Sequence, residues 1–584
     1  MIVIGLASLV LDDITRIRTL KQKETCFIYL GRTDEIEVNK KFILLACGLS
    51  SRVVLCVTED FLSDKESFNA LNDLDGIYGI SVCLNRQFQG NKNDLTQQED
   101  ILARFKKIQS KLKKNILIIP EVSLEGNVES LDGLGVDLMN LATVGCPWIT
   151  LAVQGPPVEG KIKKLRECFN YLEMRGFPEI DIYFSFNNPD NLSWMYKAEC
   201  YFSGPSVVHM DISNKCTHSC LFCGLYSPLV IEDEKQKAGG QLPKDLINFM
   251  SSQIPFEKAT ELIDSLPLIA QHIQFGGAGD PFTHPRVLEL LTLARNKGIW
   301  VEVLTNMEYF KEEDLRLLTK LGSHNYFGIH IIANLAAATA EIYVRVRPRQ
   351  TQQTFEKVMS NVKKLRSLRE ENQGIGVSVT FMSVMNRFNY SEACQMVELA
   401  SEVGADKIWF KPLEIYHPEH VHLLPPESEK IEYAKSLHRA LQIAEKLNVQ
   451  ILQKETIEPW LEALSQKSDS QKQNDDKKSK SYSVMNGGFP NDLYKNISCR
   501  IGLNYIRFQV DGEVKSCCIA KYPIGEIRTQ TWRKVWRSTA YAAFRNKMKR
   551  IATDHFHLTD PEFKFCQNCS HIPNNVEIDR LLRQ

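Results

Sequence analysis

Cysteine is the residue type whose spacing in this chain carries the most chemistry. Cys216-Thr-His-Ser-Cys220-Leu-Phe-Cys223 gathers three thiols into one short loop. Three thiolates can hold three irons of a [4Fe-4S] cube, which leaves the fourth iron without a protein ligand. An open metal position is what inner-sphere chemistry on a bound molecule requires. Soft thiolates also suit zinc, and His218 inside the loop would complete a tetrahedral zinc site. A second set, Cys499, Cys517, Cys566 and Cys569, lies near the C-terminal end. Between its first two members, Asp511-Gly512 reads as a hairpin turn that brings Cys499 and Cys517 together. Cys566-Gln-Asn-Cys569 adds a CxxC corner, and four such ligands make a closed site for iron–sulfur or zinc. Cys518 is a spare that can replace Cys517.

Strand patterns at 207–212, 272–275, 300–304, 327–332, 377–381 and 407–410 alternate with helical patterns, among them 286–297, 355–368 and 391–403. Six such βα units predict a partial (β/α)6 barrel over residues 201–415, with its chemistry at the C-terminal ends of the strands. The cysteine loop directly follows the first of these strands. Gly276-Gly277-Ala278-Gly279-Asp280-Pro281 follows the second and Thr305-Asn306 ends the third. Asn334 follows the fourth, Arg347 comes after it, and Ser383 and Asn386 close the fifth. Glu414, Tyr416 and His417 lie near the sixth, and nothing singles one of them out as a general acid or base.

Upstream, residues 1–200 carry strand patterns at 25–30, 53–57, 116–119, 148–153 and 180–186, and helical ones at 101–112 and 161–175. This alternation predicts an open, mostly parallel α/β sheet domain. It contains no GxxxxGK[ST] and no GxGxxG, so no phosphate loop is expected. Residues 416–490 read as a helical connector, mainly 427–447, and a flexible linker, because 465–481 holds no apolar residue to repay ordering. Residues 491–584 form a small Cys-rich α+β module.

A chain of 584 residues is long enough for about three domains. Lys+Arg and Asp+Glu both number 71, so no blanket of positive charge points to a nucleic-acid partner. The apolar run 1–11 reaches about half the length of a membrane span before Asp12-Asp13 closes it. The expectation is a cytoplasmic protein with no membrane partner. Disulfide scaffolds are short and secreted, so the 16 cysteines are not read that way. Those in apolar runs, such as Cys47, Cys56 and Cys83, are ordinary core residues.

The CxxxCxxC spacing, with Phe222 before the last cysteine, resembles the signature of the radical S-adenosylmethionine (SAM) superfamily. The resemblance covers about residues 205–415 for the barrel and 495–570 for the tail. It implies that SAM chelates the open iron of a first [4Fe-4S] cluster and is cleaved to a 5′-deoxyadenosyl radical. The glycine-rich stretch is similar to the family's GGEP-type motif, although Ala278 replaces a glycine and Asp280 stands where Glu is usual. The resemblance therefore implies SAM contacts from Phe222, Gly277, Ala278, Gly279, Asp280, Thr305, Asn306, Asn334, Arg347, Ser383 and Asn386. Ile524-Gly525-Glu526-Ile527 and Thr531–Trp536 resemble the SPASM and twitch domains. No further cysteine follows Cys569, so the shorter twitch form, with one auxiliary [4Fe-4S] cluster, is the better match. An electron donor such as flavodoxin or ferredoxin follows from the same resemblance. Many such enzymes modify a peptide or protein; others oxidise a sugar or cyclitol. A non-catalytic metal-binding scaffold is the reading from outside enzymology.

Overall fold

A computed structural model describes residues 204–452 and 497–569 with short gaps at 268–269, 271, 277, 298, 323–327, 519 and 521. It also describes 575–576, 578–579 and separate stretches of the first 200 residues, chiefly 2–5, 26–29, 53–58, 79–85, 105–110, 117–124, 134–143, 148–153, 157–174 and 181–184. The linker at 465–481 and Cys47 lie outside the described residues.

The N-terminal stretches build a seven-stranded parallel sheet from β1 (Ile2–Gly5), β2 (Cys26–Tyr29), β3 (Val53–Thr58), β4 (Gly79–Asn85), β5 (Leu117–Leu124), β6 (Trp148–Val153) and β7 (Asp181–Phe184). Val54, Leu55, Ile80, Val82, Ile119, Val122, Ile149 and Leu151 are fully buried, as expected for strands covered on both faces. The sheet is parallel throughout, as the strand–helix alternation suggests, and it includes β4, which the sequence patterns do not pick out. Its strand order is simply the sequence order. Among the described strands, winding in one direction leaves no topological switch point, the place where doubly wound sheets bind ligands.

The second sheet has ten strands and is not closed into a barrel. β8 (Val207–Met210), β9 (His272–Phe275), β10 (Trp300–Thr305), β11 (Ile329–Asn334), β12 (Ser378–Met385) and β13 (Lys407–Pro412) run parallel in sequence order. These are the six predicted strands of the partial barrel, and a short β14 (Gln450–Ile451) flanks β13. Alternate side chains point to opposite faces of a strand. One set, including Val208, Met210, Ile273, Phe275, Val301, Val303, Ile331, Val379, Phe381 and Ile408, packs into one core with the outer helices. Each such fully buried side chain contributes about 1.5–3 kcal/mol. The alternate set is His209, Gln274, Glu302, His330 and Thr380, so the opposite face is polar.

The C-terminal module continues this sheet. β15 (Tyr505–Phe508) pairs in parallel with β8 through Tyr505↔Val207 to Phe508↔Met210. It then forms the expected hairpin with β16 (Glu513–Lys515), and β17 (Gly525–Glu526) completes the edge. Gly512 at the turn has φ +87, the left-handed conformation that glycine adopts without strain. The helix Trp532–Trp536 is wedged beside it: Trp532 Nε1 donates to Ser265 Oγ at 3.0 Å. Arg533 of that helix and Arg537, which caps its C-terminal end, share the carboxylate of Asp181 on β7 at 2.9 and 3.3 Å. Asp181 is 1% exposed, so its removal would leave two largely buried guanidinium groups without their shared anion. Asp181→Ala is therefore expected to cost about 3–5 kcal/mol in denaturant unfolding. A change below about 0.5 kcal/mol would mean that the clamp bears no load.

Candidate functional site: two cysteine clusters on one sheet

The first cysteine loop leaves the C-terminal end of β8 and is held by backbone. Gly279 lies against it so closely that an added Cβ would sit 2.3 Å from the carbonyl carbon of Asn214 and 2.4 Å from the oxygen of Lys215. Asp280 N–H donates to the Lys215 carbonyl at 2.8 Å. The Asp280 carboxylate accepts from Phe282 N, Thr305 Oγ1 and Asn306 N at 2.7–3.1 Å. It is buried, and burial pushes its pKa upward against those three donors. Asp280 thus ties the turn after β9 to the end of β10. Asn306 reaches from there toward Cys216 Sγ, with Nδ2 at 3.9 Å.

Amide groups point at the sulfurs: His218 N at Cys216 (3.4 Å), and Leu225 N and Tyr226 N at Cys223 (3.4 and 3.2 Å). Burial pushes all three thiols up, Cys223 to about 11. Metal must therefore displace their protons, and the amides favour the resulting thiolates. Beside them lies Arg347, fully buried. Its Nη1 donates to His218 Nδ1 at 2.9 Å and to Tyr343 Oη at 3.2 Å; Nη2 donates to Asn334 Oδ1 at 3.0 Å and to the Asn334 carbonyl. These partners are neutral, and the thiols of Cys220 and Cys216 act on its charge. A buried cation without a carboxylate is costly unless an anion arrives. A thiolate cluster, or a ligand carboxylate on it, supplies one.

His218 bears on the zinc alternative. An arginine can only donate, so Nδ1 is the acceptor and the ring proton sits on Nε2. That nitrogen faces Glu308 Oε2 at 3.1 Å, and Thr217 Oγ1 donates to the same oxygen at 2.8 Å. Burial lowers the His218 pKa to about 4, so the ring is neutral. Both ring nitrogens are engaged and His218 is not free to be a fourth ligand. The loop offers three thiols and an open position, which fits a [4Fe-4S] cluster.

The residues predicted around SAM divide in two. Asp280, Thr305, Asn306, Asn334 and Arg347 converge on the cysteine loop through the contacts just given. Phe222 is buried with Ile332, Ala336, Met382 and Val384 beside Cys220, and Ala278 is half-buried in the turn next to Gly279. Ser383 shares the alternation of Phe381 and Met385, the face packed against helices, and its Oγ donates to Met385 Sδ at 3.4 Å. Asn386 spends its side chain on its own turn, with Nδ2 to the Val384 carbonyl and Oδ1 from Phe388 N. Gly277 lies outside the described residues. Glu308, Thr217 and Tyr343 were not foreseen. Glu308 stands two residues past Thr305-Asn306, and no spacing rule marks it. Near β13, Glu414 accepts from Lys411 Nζ at 2.9 Å and His417 Nε2 lies 2.8 Å from Asp233.

The second set is closed. Cys499, Cys517, Cys566 and Cys569 are all buried in one cluster with Ile497, Ile501, Tyr505, Met548, Phe556 and Phe563. None is in a disulfide. Cys517, Cys569 and Cys499 all act on the Cys566 thiol, which burial raises far above its ordinary value. Four buried thiols in one cluster suit a four-ligand site, and Cys517 rather than Cys518 is the one that acts on Cys566. Asn575, also unforeseen, braces Cys499: its Nδ2 points at the sulfur (3.6 Å) and its Oδ1 accepts from Arg500 N (2.7 Å).

Both cysteine regions are similar to known protein families. Residues 210–400 match the family model of the radical SAM superfamily, and residues 499–570 match that of an iron–sulfur cluster-binding domain, SPASM. Together these imply [4Fe-4S] clusters and SAM as cofactors. A curated relative, the tungsten-containing aldehyde ferredoxin oxidoreductase cofactor-modifying protein of Pyrococcus furiosus, is 26% identical over 215 residues. That stretch is 37% of this chain and 53% of the relative, so the chain spans about half of the relative's length. Among solved structures, Streptococcus suis SuiB bound to its precursor peptide SuiA is 13% identical with a TM-score of 0.37, over 70% of this chain and 84% of that one. BtrN in complex with AdoMet and 2-DOIA is 14% identical with a TM-score of 0.28, over 62% and 92%.

The contact at Gly279 makes a specific demand. Gly279→Ala drives a methyl group into the backbone just before Cys216, so the loop must move. The variant is expected to lose about half of its reconstituted iron, the share of the first cluster. Full iron content and an unchanged absorbance spectrum would show that the loop tolerates the displacement.

Proposed function

We propose, for a chain whose residues 210–400 belong to the radical SAM superfamily and whose residues 499–570 form an iron–sulfur cluster-binding domain, an enzyme that takes hydrogen from its substrate by way of SAM. When bound, the first cluster supplies the electron that cleaves SAM to methionine and a 5′-deoxyadenosyl radical. The observation that carries the reading is the three-thiol loop whose histidine is engaged by Arg347 and Glu308, leaving one metal position open. The chain's own residues then have definite tasks. Arg347 offers buried positive charge to the cluster and to a ligand carboxylate. Asp280 and Gly279 fix the loop, and Asn306 approaches Cys216. A flavodoxin- or ferredoxin-type donor is the proposed electron source.

As substrate we propose a peptide or protein side chain, with the N-terminal sheet domain as the element that recruits it. A sugar or cyclitol is the second reading. The face of the barrel sheet turned away from the helices carries His209, Gln274, Glu302, His330 and Thr380 where such interiors usually hold aliphatic residues. Burial raises the Glu302 pKa to about 7, and Gln274 Nε2 donates to it at 2.7 Å. These groups are buried or half-buried and engaged with one another or with neighbouring side chains, so they brace the interior of the sheet beneath the cysteine loop.

Anaerobic reconstitution tests the reading. The unmutated protein should bind about eight irons in two clusters and release 5′-deoxyadenosine from SAM under reduction. Replacing Cys216, Cys220 and Cys223 with Ala should leave about half the iron and abolish that release. Continued 5′-deoxyadenosine formation by the triple variant would remove the loop from catalysis. Replacing Cys566 and Cys569 with Ala should preserve SAM cleavage without substrate but end turnover of substrate. Normal turnover by this variant would make the tail structural.

A further inference from the structure

The two cysteine sets lie toward opposite ends of the β8–β15 seam, the first loop following the C-terminal end of β8 and the second set packing against Val207 at its start, and a buried charge pair occupies the seam. Arg507 on β15 is in register with His209 on β8. Its Nε and Nη2 donate to Asp211 Oδ2 at 3.0 and 2.6 Å. Its remaining nitrogen, Nη1, donates to the Cys518 carbonyl at 2.5 Å. That carbonyl belongs to the residue following Cys517, a member of the second set. The side chains are 1% and 12% exposed for Asp211 and Arg507, so water screens the pair little. His209 completes the arrangement, with Nδ1 2.9 Å from Tyr505 Oη and Nε2 3.1 Å from Asp211 Oδ1. Burial holds its pKa low, so near neutrality it adds no charge. Lys515, Glu513 and Asp511 on the neighbouring hairpin stand more exposed around it.

A guanidinium held against the loop of a cluster ligand stabilises the more negative, reduced state of that cluster, and a carboxylate opposes it. We propose that the Asp211–Arg507 pair sets the reduction potential of the second cluster, with Asp211 offsetting a cation that would otherwise make that cluster easier to reduce. The proposal rests on the reading of the second cysteine set as an iron–sulfur site. The first cluster has a different electrostatic company: Asp280 is the carboxylate acting on Cys216, and Arg347 is the cation acting on Cys220. The pair should therefore act chiefly on the second cluster. A second cluster tuned in this way would be poised to receive an electron from a substrate radical formed over the same sheet.

The test is a redox titration followed by electron paramagnetic resonance on the full-length, anaerobically reconstituted protein. Asp211→Asn keeps the shape and removes the negative charge, so the midpoint of the second cluster should rise. Arg507→Gln leaves the carboxylate alone, so that midpoint should fall. In the double variant the two changes should largely cancel, and Arg507→Lys, which keeps the charge, should stay near the unmutated value. The midpoint of the first cluster should move less in every case. Two shifts of the same sign, or a double variant that departs further than either single one, would overturn the proposal and make the pair a structural bond. Eight irons with unmoved potentials would overturn it as well. Four irons, or zinc at the second set, in the unmutated protein would instead overturn the cluster reading and the proposal together.

Discussion

The site depends on one backbone contact, the glycine turn after β9 lying against the chain that enters the first cysteine loop. No side chain fits between Gly279 and Asn214–Lys215. Because the surfaces are backbone, the position of Cys216 is fixed by chain geometry rather than by a rotamer. Asp280 extends the same constraint sideways, since its carboxylate collects donors from its own turn and from the end of β10. Three consecutive strand ends are thereby locked together. A cluster with an open position needs this rigidity, because ligand exchange at one iron must not loosen the other three.

Why the ends of these strands and not their middles carry the chemistry follows from the alternation in the sheet. Outward positions are aliphatic and bury against helices; inward positions are polar. The apolar half supplies the stability that allows the other half to hold charged and titratable groups. The short apolar belt at Ile332, Met382, Val384 and Leu413 then separates the polar interior from the cysteine loop, with Phe222 and Cys220 packed directly on it. A cluster and its ligand above that belt are shielded from water approaching from below, which strengthens every electrostatic interaction there.

Much of this was legible in the sequence for physical reasons. The period-two pattern of β9, His-Ile-Gln-Phe, and of β10, Trp-Val-Glu-Val, is the signature of strands with two different faces. The cysteine spacings and the strand ends they follow were also readable, because ligand loops are local. Long-range pairing was not. Nothing in Tyr505–Phe508 announces that it will lie beside Val207–Met210, almost three hundred positions earlier in the chain. Single residues that act through neighbours, such as Glu308, Tyr343, Asp211 and Arg507, leave no spacing signal either. Ser383 shows the reverse failure: it occupies the strand end where a ligand contact is expected, but one step of register turns its side chain to the other face.

The two cysteine sets differ in how their charge is met, and the difference suits their coordination. At the first, Arg347 is a buried cation whose hydrogen-bond partners among the described residues are neutral, so thiolates and whatever binds the open metal position can balance it directly. The site is electrostatically incomplete until occupied, and its ligand is drawn in by that deficit. At the second, four buried thiols would complete a coordination shell, and the adjacent cation already has a carboxylate. No deficit remains there for an outside anion to fill. A closed, balanced site cannot take part in ligand chemistry but can exchange electrons, because an electron changes its charge without displacing an atom. One sheet thus holds a site built to bind and a site built to hold charge, joined through the hydrogen bonds of β8 and β15.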